Sequence, residues 1–175
     1  MNGSHPAQPG VMLEVFGQGV LLQGESGSGK SDIALALVDR GHHLVADDLV
    51  EFYLQDDALF GRCRPGFDGF MEVTGLGLVN LRQLYGDQAV QQCARLDLIL
   101  SLEAQLADGY DHLQPAQFEW QILGQTVPAW HMPRQVRSNM ALIVETAVRL
   151  NHDRRQGYDA SSDLQSRLAD LLDRP

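Results

Sequence analysis

The chain has 175 residues, of which 44% are hydrophobic, and this is enough for one domain with a substantial core. Its 13 basic and 23 acidic residues give a formal net charge of -10, and no cluster of Lys and Arg is present that could follow a nucleic-acid backbone. No apolar run approaches the ~18 residues that a membrane span needs, and the start MNGSHPAQPG lacks the pattern of a signal peptide. We therefore expect a cytoplasmic protein with neither a nucleic-acid nor a membrane partner.

The first part of the chain predicts a strand, a glycine-rich loop and a helix in succession. Residues 1–9 are interpreted as a flexible leader, and residues 10–175 as a single domain. VMLEVFGQGVLLQG contains two short apolar runs on either side of Gly17, as paired strands would. After Ser31 the apolar residues follow one helical face, and Gly41 marks the end of the predicted helix.

The octapeptide GESGSGKS matches the pattern G-x-x-x-x-G-K-[ST] at every fixed position. Successive backbone N–H groups and the following helix N-terminus would form a concave phosphate site, to which Lys30 adds positive charge and Ser31 a ligand for Mg²⁺. ATP and Mg²⁺ are therefore the expected cofactors. A surface turn can match this pattern by chance, but a strand before it and a helix after it favour nucleotide binding. The predicted nucleotide-binding residues are Gly24, Glu25, Ser26, Gly27, Ser28, Gly29, Lys30 and Ser31.

Two adjacent carboxylates follow the next predicted strand, in HLVADD. An aspartate at the end of a strand beside a phosphate loop can hold Mg²⁺ or take a proton from an attacking hydroxyl. Asp47 and Asp48 are therefore candidate catalytic residues, and we expect them to face the loop. The alternative is a solvated strand end or a turn-forming aspartate pair.

The rest of the chain predicts further strands and two C-terminal helices. VEFYL and LDLILSL, residues 96–102, are typical of buried strands, whereas FGRCRPGFDGF predicts an exposed loop. In MEVTGLGLVN, Glu72 precedes a Gly-x-Gly pair, which by itself is more often a strand kink than a site. MALIVETAVRLNH and SSDLQSRLADLLD have apolar residues at helical spacing.

Three segments in this order resemble the catalytic domain of bacterial HPr kinase/phosphorylase: GESGSGKSDIALALVDRGHHLVADD, MEVTGLGLVN and ALIVET. The resemblance extends over roughly residues 10–160, and its most specific part runs from Lys30 to Asp48. The family's usual N-terminal domain is missing, so the chain is similar to the short form of some proteobacteria. The resemblance implies an α/β fold with a P-loop, phosphoenolpyruvate-carboxykinase-like nucleotide-binding core and C-terminal helices.

The resemblance also implies an ATP-dependent serine protein kinase that acts on HPr-like phosphocarrier proteins of a phosphotransferase system. In that case Lys30 contacts the phosphates, and Ser31 and Glu72 bind Mg²⁺. Asp48 matches the proton acceptor that activates the serine, with Asp47 adjacent to it. The family runs the reverse phosphorolysis as well, and it forms hexamers whose C-terminal helices contact the partner or a neighbouring subunit.

The chain departs from the family pattern where the family places charged residues. Pro9 stands at the position of a His before the first strand, and Thr74 stands where the signature has Arg. His112 replaces a catalytic Arg of the family's Y-D-R-L segment. Where the family has P-G-R-N before the penultimate helix, this chain has residues 136–139, and Arg137 or Arg134 could take over the role of that Arg. Because phosphoryl transfer depends on cations around the migrating group, these changes predict slower transfer and above all a weaker reverse reaction.

Two alternatives to an HPr kinase follow from these departures. The first is a kinase of the same fold that acts on another protein or on a small hydroxylated metabolite. The second is a catalytically weak ATP-binding regulatory module. A GTPase is disfavoured because the sequence has no N-K-x-D element for reading guanine.

Overall fold

The computed structural model describes residues 6–104, 109, 111–133 and 139–172. It is a mixed α/β structure in which nine strands form one sheet and two more form a separate hairpin. The strands are β1 (Ala7–Pro9), β2 (Val11–Val15), β3 (Gln18–Gly24), β4 (His43–Ala46), β5 (Leu49–Gln55), β6 (Ala58–Arg62), β7 (Phe70–Val73), β8 (Gly77–Asn80), β9 (Cys93–Glu103), β10 (Gln117–Ile122) and β11 (Gln125–Pro133). The helices are α1 (Lys30–Asp39), α2 (Leu81–Tyr85), α3 (Met140–Arg155) and α4 (Ala160–Leu172), and a short 3-10 helix spans Asp87–Ala89.

The centre of the large sheet is β3, which lies between β2 and β9. It pairs in parallel with β9, and β9 pairs in parallel with β11, so these three strands end at the same edge. On the other side, β2 runs antiparallel to both β3 and β4. Consequently β4 points in the same direction as β3 although the two are not neighbours, and the crossover through α1 brings their carboxyl ends to one edge of the sheet.

The core has two parts, one on each face of the sheet. Successive residues of the central strands alternate between them: Leu13 and Leu22 face the cluster that contains α1 and α3, whereas Met12 and Leu21 face the opposite cluster around Phe52. Burial on both faces explains why the central strands are continuous apolar runs rather than alternating ones. The predicted buried strand over residues 96–102 is confirmed as part of β9.

Two buried carboxylates connect α3 to the elements on either side of the Gly24–Ser31 loop. Glu145 on α3 forms a salt bridge with Arg40, the residue that follows α1. Asp97 on β9 forms a salt bridge of 2.7 Å with Arg155 at the end of α3 and accepts a hydrogen bond of 3.2 Å from the backbone N–H of Gly19. These contacts fix α1, β3 and β9 relative to one another.

Two sequence predictions differ in part from the structure. Ala7–Pro9, predicted as part of a flexible leader, form the edge strand β1, which pairs with β5. The predicted loop FGRCRPGFDGF belongs to β6 at its start and to β7 at its end. Gly61 lies inside β6 because Met12 packs over it, and a Cβ at this position would lie 2.3 Å from the Met12 sulfur. The glycine therefore marks a close approach of two segments and not a turn.

Candidate active site

The Gly24–Ser31 loop connects β3 to α1, as its sequence predicts. Gly27 and Gly29 have φ angles of 77° and 89°, which are accessible at low cost only to glycine. Lys30 folds back over the loop and donates hydrogen bonds from Nζ to the carbonyl oxygens of Gly24 at 2.8 Å and Glu25 at 2.9 Å. The loop is thus closed on itself by the lysine whose charge would face a phosphate.

Gly24 lies where the loop comes closest to the neighbouring strand. A Cβ at this position would be 2.8 Å from the Ser28 hydroxyl oxygen and 3.0 Å from the carbonyl oxygen of Leu102 on β9. Ser28 is buried, and its hydroxyl oxygen lies 3.3 Å from the Lys30 Nζ. The first glycine of the motif therefore allows the loop to pack against β9.

Asp47 follows β4, on the side of the loop opposite to β9. The Ser31 hydroxyl donates a hydrogen bond of 3.4 Å to one oxygen of Asp47, and the backbone N–H of Glu72 donates one of 3.1 Å to the other oxygen. Burial raises the pKa of Asp47 above its usual range, and the hydrogen bond from the Glu72 N–H opposes this increase. A bound cation would favour the charged form of this carboxylate.

Asp48 differs from Asp47 in exposure and in backbone conformation. Its side chain is exposed, and its φ of 66° is in the left-handed region, which aspartate tolerates better than most residues. The hydrogen bonds from Ser31 and from the Glu72 N–H go to Asp47 and not to Asp48. An exposed carboxylate at the rim of the loop is accessible to an incoming hydroxyl group.

The β7–β8 hairpin carries Glu72 to this side of the loop. The Gly-x-Gly pair, Gly75 and Gly77, forms its turn with φ angles of 85° and 80°. The Glu72 side chain is exposed, while its backbone contacts Asp47. The oxygen donors of Ser31, Asp47 and Glu72 are of the type that Mg²⁺ prefers, and Mg²⁺ commonly binds one or two carboxylates together with phosphate oxygens. The residues present fit a nucleotide-bound Mg²⁺.

The remaining predicted site residues are not all placed by the structure. Arg134 and Arg137 lie outside the described residues. His112 is in an exposed turn between β9 and β10, and Pro9 ends β1 at the sheet edge. In the part of the chain that the structure describes, no cluster of three or more His, Cys, Asp or Glu side chains has the arrangement of a metal site. The same residues include no helix that is long and apolar enough to cross a membrane.

The sequence analysis misses one polar group beside the loop. Glu103 ends β9, and it accepts a hydrogen bond of 2.8 Å from the Ser101 hydroxyl and lies 3.3 Å from Nδ1 of His131 on β11. Glu103 lines a pocket of about 200 Å³ together with Gly24 and Glu25. The sequence pattern that could have identified Glu103 is Ser-x-Glu at the carboxyl end of a buried strand, because parallel sheets bind ligands at that end.

Comparisons with known proteins show which family this chain resembles. The family model described as HPr Serine kinase C-terminal domain matches residues 4–168. The "HPr kinase/phosphorylase" of Bacillus pumilus is 38% identical over 166 residues, which cover 94% of this chain and 54% of that protein. The protein of the same name from Stenotrophomonas maltophilia is 38% identical over 170 residues, with the same coverage of 94% and 54%. The chain thus spans about half the length of these curated relatives.

A solved structure has the same fold. The structure described as the Hpr(Ser) kinase/phosphatase from Coxiella burnetii matches with a TM-score of 0.82 and 34% sequence identity, covering 91% of this chain and 98% of that chain. The predicted α/β class with C-terminal helices is confirmed. The extent of the family match and the agreement of the two folds show that this chain belongs to the HPr serine kinase C-terminal domain family.

Proposed function

We propose that the protein is a cytoplasmic, ATP-dependent serine protein kinase that phosphorylates an HPr-like phosphocarrier protein of a phosphotransferase system. The names of the relatives from Bacillus pumilus and Coxiella burnetii support this substrate. The observation that carries the proposal is the contact between Ser31 and Asp47 at the end of a phosphate loop, with the exposed Asp48 beside it. This arrangement supports a role for Ser31 in binding Mg²⁺ and a role for Asp48 in accepting the proton.

The roles of the individual residues follow from this arrangement. The backbone N–H groups of Gly24–Ser31 and the Lys30 ammonium group hold the phosphates of ATP. Ser31 and Glu72 would hold Mg²⁺, with Asp47 orienting the Ser31 hydroxyl. When bound, the ion supplies positive charge that offsets the charge of the phosphate oxygens.

Asp48 takes the proton of the acceptor serine while the serine oxygen forms a bond to the γ-phosphorus atom. The bond from that phosphorus to the oxygen of the leaving diphosphate breaks, and ADP departs with the electron pair. In the reverse direction, an oxygen of inorganic phosphate attacks the phosphorus of the phosphoserine to form pyrophosphate. The bond from that phosphorus to the serine oxygen breaks, and protonated Asp48 returns the proton to the serine oxygen. We propose that this phosphorolysis is the slower direction, because it gathers another anion where Thr74 and His112 replace cations.

An acceptor protein fits the surroundings of the loop better than a small metabolite does. Leu76 and Leu78 on the β7–β8 hairpin are 73% and 71% exposed, and the same hairpin contacts Asp47 through Glu72. Exposed apolar side chains beside a site favour contact with another protein. An enclosed pocket would instead indicate a kinase that acts on a small hydroxylated metabolite.

We also propose that the protein forms homo-oligomers, with a hexamer as the expected state. Helix α4 has no buried residue within its described span, and its leucine stripe is about half exposed or more at Leu164, Leu168, Leu171 and Leu172. A second copy could cover this stripe. Light scattering on a size-exclusion column tests the proposal, since Leu168→Asp should lower the measured mass if α4 forms the contact.

The decisive experiment is intact-mass analysis of HPr-type carriers after incubation with the protein and Mg-ATP. The expected result is a gain of one phosphoryl group that is lost with Lys30→Ala and with Asp48→Asn, as well as with a carrier that lacks its acceptor serine. Glu119→Gln, at an exposed carboxylate on β10 outside the loop, is the control and should leave transfer unchanged. If ATP binds but no carrier gains mass, the HPr substrate is wrong, and another acceptor or a regulatory module remains.

A further inference from the structure

The pocket beside the first residues of the Gly24–Ser31 loop lies on the side of β3 opposite to the Ser31–Asp47 contact. Its lining residues come from the start of the loop and from the end of β9: Gly24, Glu25, Leu102, Glu103 and Ala104. The parallel pairing of β3 and β9 places Gly24 opposite Leu102, so Glu103 is the first residue beyond that pair. The pocket is therefore the crevice at the carboxyl ends of two adjacent parallel strands, where nucleotides bind in α/β proteins.

The charge of this pocket is unsuited to phosphate groups. Two acidic residues, Glu25 and Glu103, line the pocket, whereas Lys30 bonds to the loop itself, and negative charge there would repel a polyphosphate. A carboxylate instead accepts hydrogen bonds from neutral hydroxyl groups. The phosphates therefore occupy the concave side of the loop towards Ser31 and Asp47, and the uncharged part of the nucleotide is left to fill the crevice.

Glu103 is held in place by neighbouring strands. The Ser101 hydroxyl, two residues earlier on the same face of β9, donates to Glu103 Oε1 at 2.8 Å, and Nδ1 of His131 lies 3.3 Å from the same oxygen. His131 is in turn stacked on Phe118 with ring centroids 4.3 Å apart. The Glu103 side chain is still 41% exposed, so it is oriented but accessible. Neither of these two contacts uses the second carboxylate oxygen, Oε2.

We infer that Glu103 binds the 2′- and 3′-hydroxyl groups of the nucleotide's ribose, with Ser101 and His131 as positioning residues. This inference rests on the proposed binding of ATP at the loop and adds a nucleoside subsite to it. A carboxylate at the end of a strand next to a phosphate loop can recognise a ribose, because the two lone pairs of its remaining oxygen, Oε2, can accept hydrogen bonds from two adjacent hydroxyl groups. The pocket thus selects a ribonucleotide over a deoxynucleotide or a bare polyphosphate.

The test is calorimetric binding of three ligands to the full chain in the presence of Mg²⁺: ATP, 2′,3′-dideoxy-ATP and inorganic tripolyphosphate. For the unmodified protein, ATP should bind about tenfold more tightly than dideoxy-ATP, as expected for hydrogen bonds to a charged group. Glu103→Ala should reduce ATP affinity by about the same factor, remove the preference for ATP over dideoxy-ATP, and leave tripolyphosphate binding unchanged. Glu103→Gln, which keeps one acceptor oxygen, should give a smaller loss.

Glu119→Gln is the matched control. Glu119 is an exposed carboxylate on β10, one residue from Phe118 and hence on the other face of that strand. The Glu119→Gln substitution removes the same charge as Glu103→Gln, and it should leave the affinities for all three ligands unchanged. Thermal unfolding of each variant checks that the fold is retained.

The outcomes separate this inference from the proposed function. Equal affinity of the unmodified protein for ATP and dideoxy-ATP, or a Glu103→Ala loss that extends equally to tripolyphosphate, overturns the ribose subsite while ATP binding at the loop stands. A protein that binds ATP with the expected preference but modifies no carrier supports the subsite and refutes the HPr substrate. If neither ATP nor tripolyphosphate binds, both the loop assignment and the subsite are overturned.

Discussion

Glu145 on α3 accepts hydrogen bonds from the guanidinium of Arg40 at 2.8 and 2.5 Å and lies 2.8 Å from Nε2 of the buried His42. The hydrogen bonds from Arg40 lower the pKa of Glu145 to about 2, against the opposing effect of burial, and His42 contributes in the same direction. Arg40 and His42 follow α1, the helix that begins at the phosphate loop. The contact therefore joins the far end of that helix to α3.

The first prediction concerns stability and pH. Since the pKa of Glu145 lies below its unfolded value of about 4.3, its charge stabilises the fold fully at neutral pH, and this stabilisation is lost as the pH falls from about 4.5 towards 2. Glu145→Gln should lower the free energy of unfolding at pH 7 by about 1–3 kcal/mol. Urea unfolding between pH 3 and 7 should show the difference from the unmodified protein shrinking at the acidic end, and a difference independent of pH would contradict the assignment.

The second prediction compares two glycines of the loop. Gly27→Ala places a Cβ in open space, so it adds only the strain of a positive φ, about 1–2 kcal/mol. Gly24→Ala has a strained φ of 147° and in addition drives its Cβ towards the Ser28 hydroxyl and the Leu102 carbonyl. We expect Gly24→Ala to be the more destabilising by about 1–3 kcal/mol, measured from denaturant midpoints. Equal effects of the two substitutions would show that the loop does not pack against β9 as described.

The third prediction concerns Asp97, which is buried and accepts from the Gly19 N–H and from Arg155, with Arg95 at 2.5 Å. Asp97→Ala leaves the Gly19 N–H without its acceptor, and we expect a loss of about 2–3 kcal/mol in the free energy of unfolding. Asp163→Ala removes the surface pair with Arg167 on α4 and is the control, because exposed pairs of this spacing contribute little. A loss no larger for Asp97→Ala than for Asp163→Ala would refute the structural role of Asp97.

The fourth prediction separates nucleotide binding from transfer. Asp48→Asn keeps a residue that tolerates the φ of 66° and removes the proposed proton acceptor. ATP affinity should remain within about twofold, while the transfer rate falls by about 100-fold or more, the usual contribution of a general base. Lys30→Ala should weaken ATP binding itself. Single-turnover transfer and equilibrium binding measure the two effects, and a large loss of ATP affinity in Asp48→Asn would assign Asp48 to nucleotide binding instead.

The local part of the site could be predicted because its signals are short in sequence. The Gly24–Ser31 motif, the helix after it and the strand ending at Asp47 each depend on neighbouring residues, so propensity and periodicity are sufficient. Local sequence patterns do not predict that β4 pairs with β2 and not with β3, because strand order depends on long-range pairing. The loop prediction at Gly61 failed for a related reason, since only the packing of Met12 explains a glycine inside a strand.

By itself, then, the sequence determined the phosphate loop, the carboxylate pair and the family to which the chain belongs, because these features lie within contiguous segments whose chemistry is local. Only the tertiary structure decided that the Ser31 hydroxyl meets Asp47 and not Asp48, that the N–H of Glu72 binds the same carboxylate, and that Glu103 and His131 meet beside Gly24. Each of these contacts joins segments far apart in the chain. The Glu103–His131 contact follows from the register of β9 and β11, and the Ser31–Asp47 contact follows from the order of β3, β2 and β4. Both are set by the packing of the two sheet faces and not by any single segment.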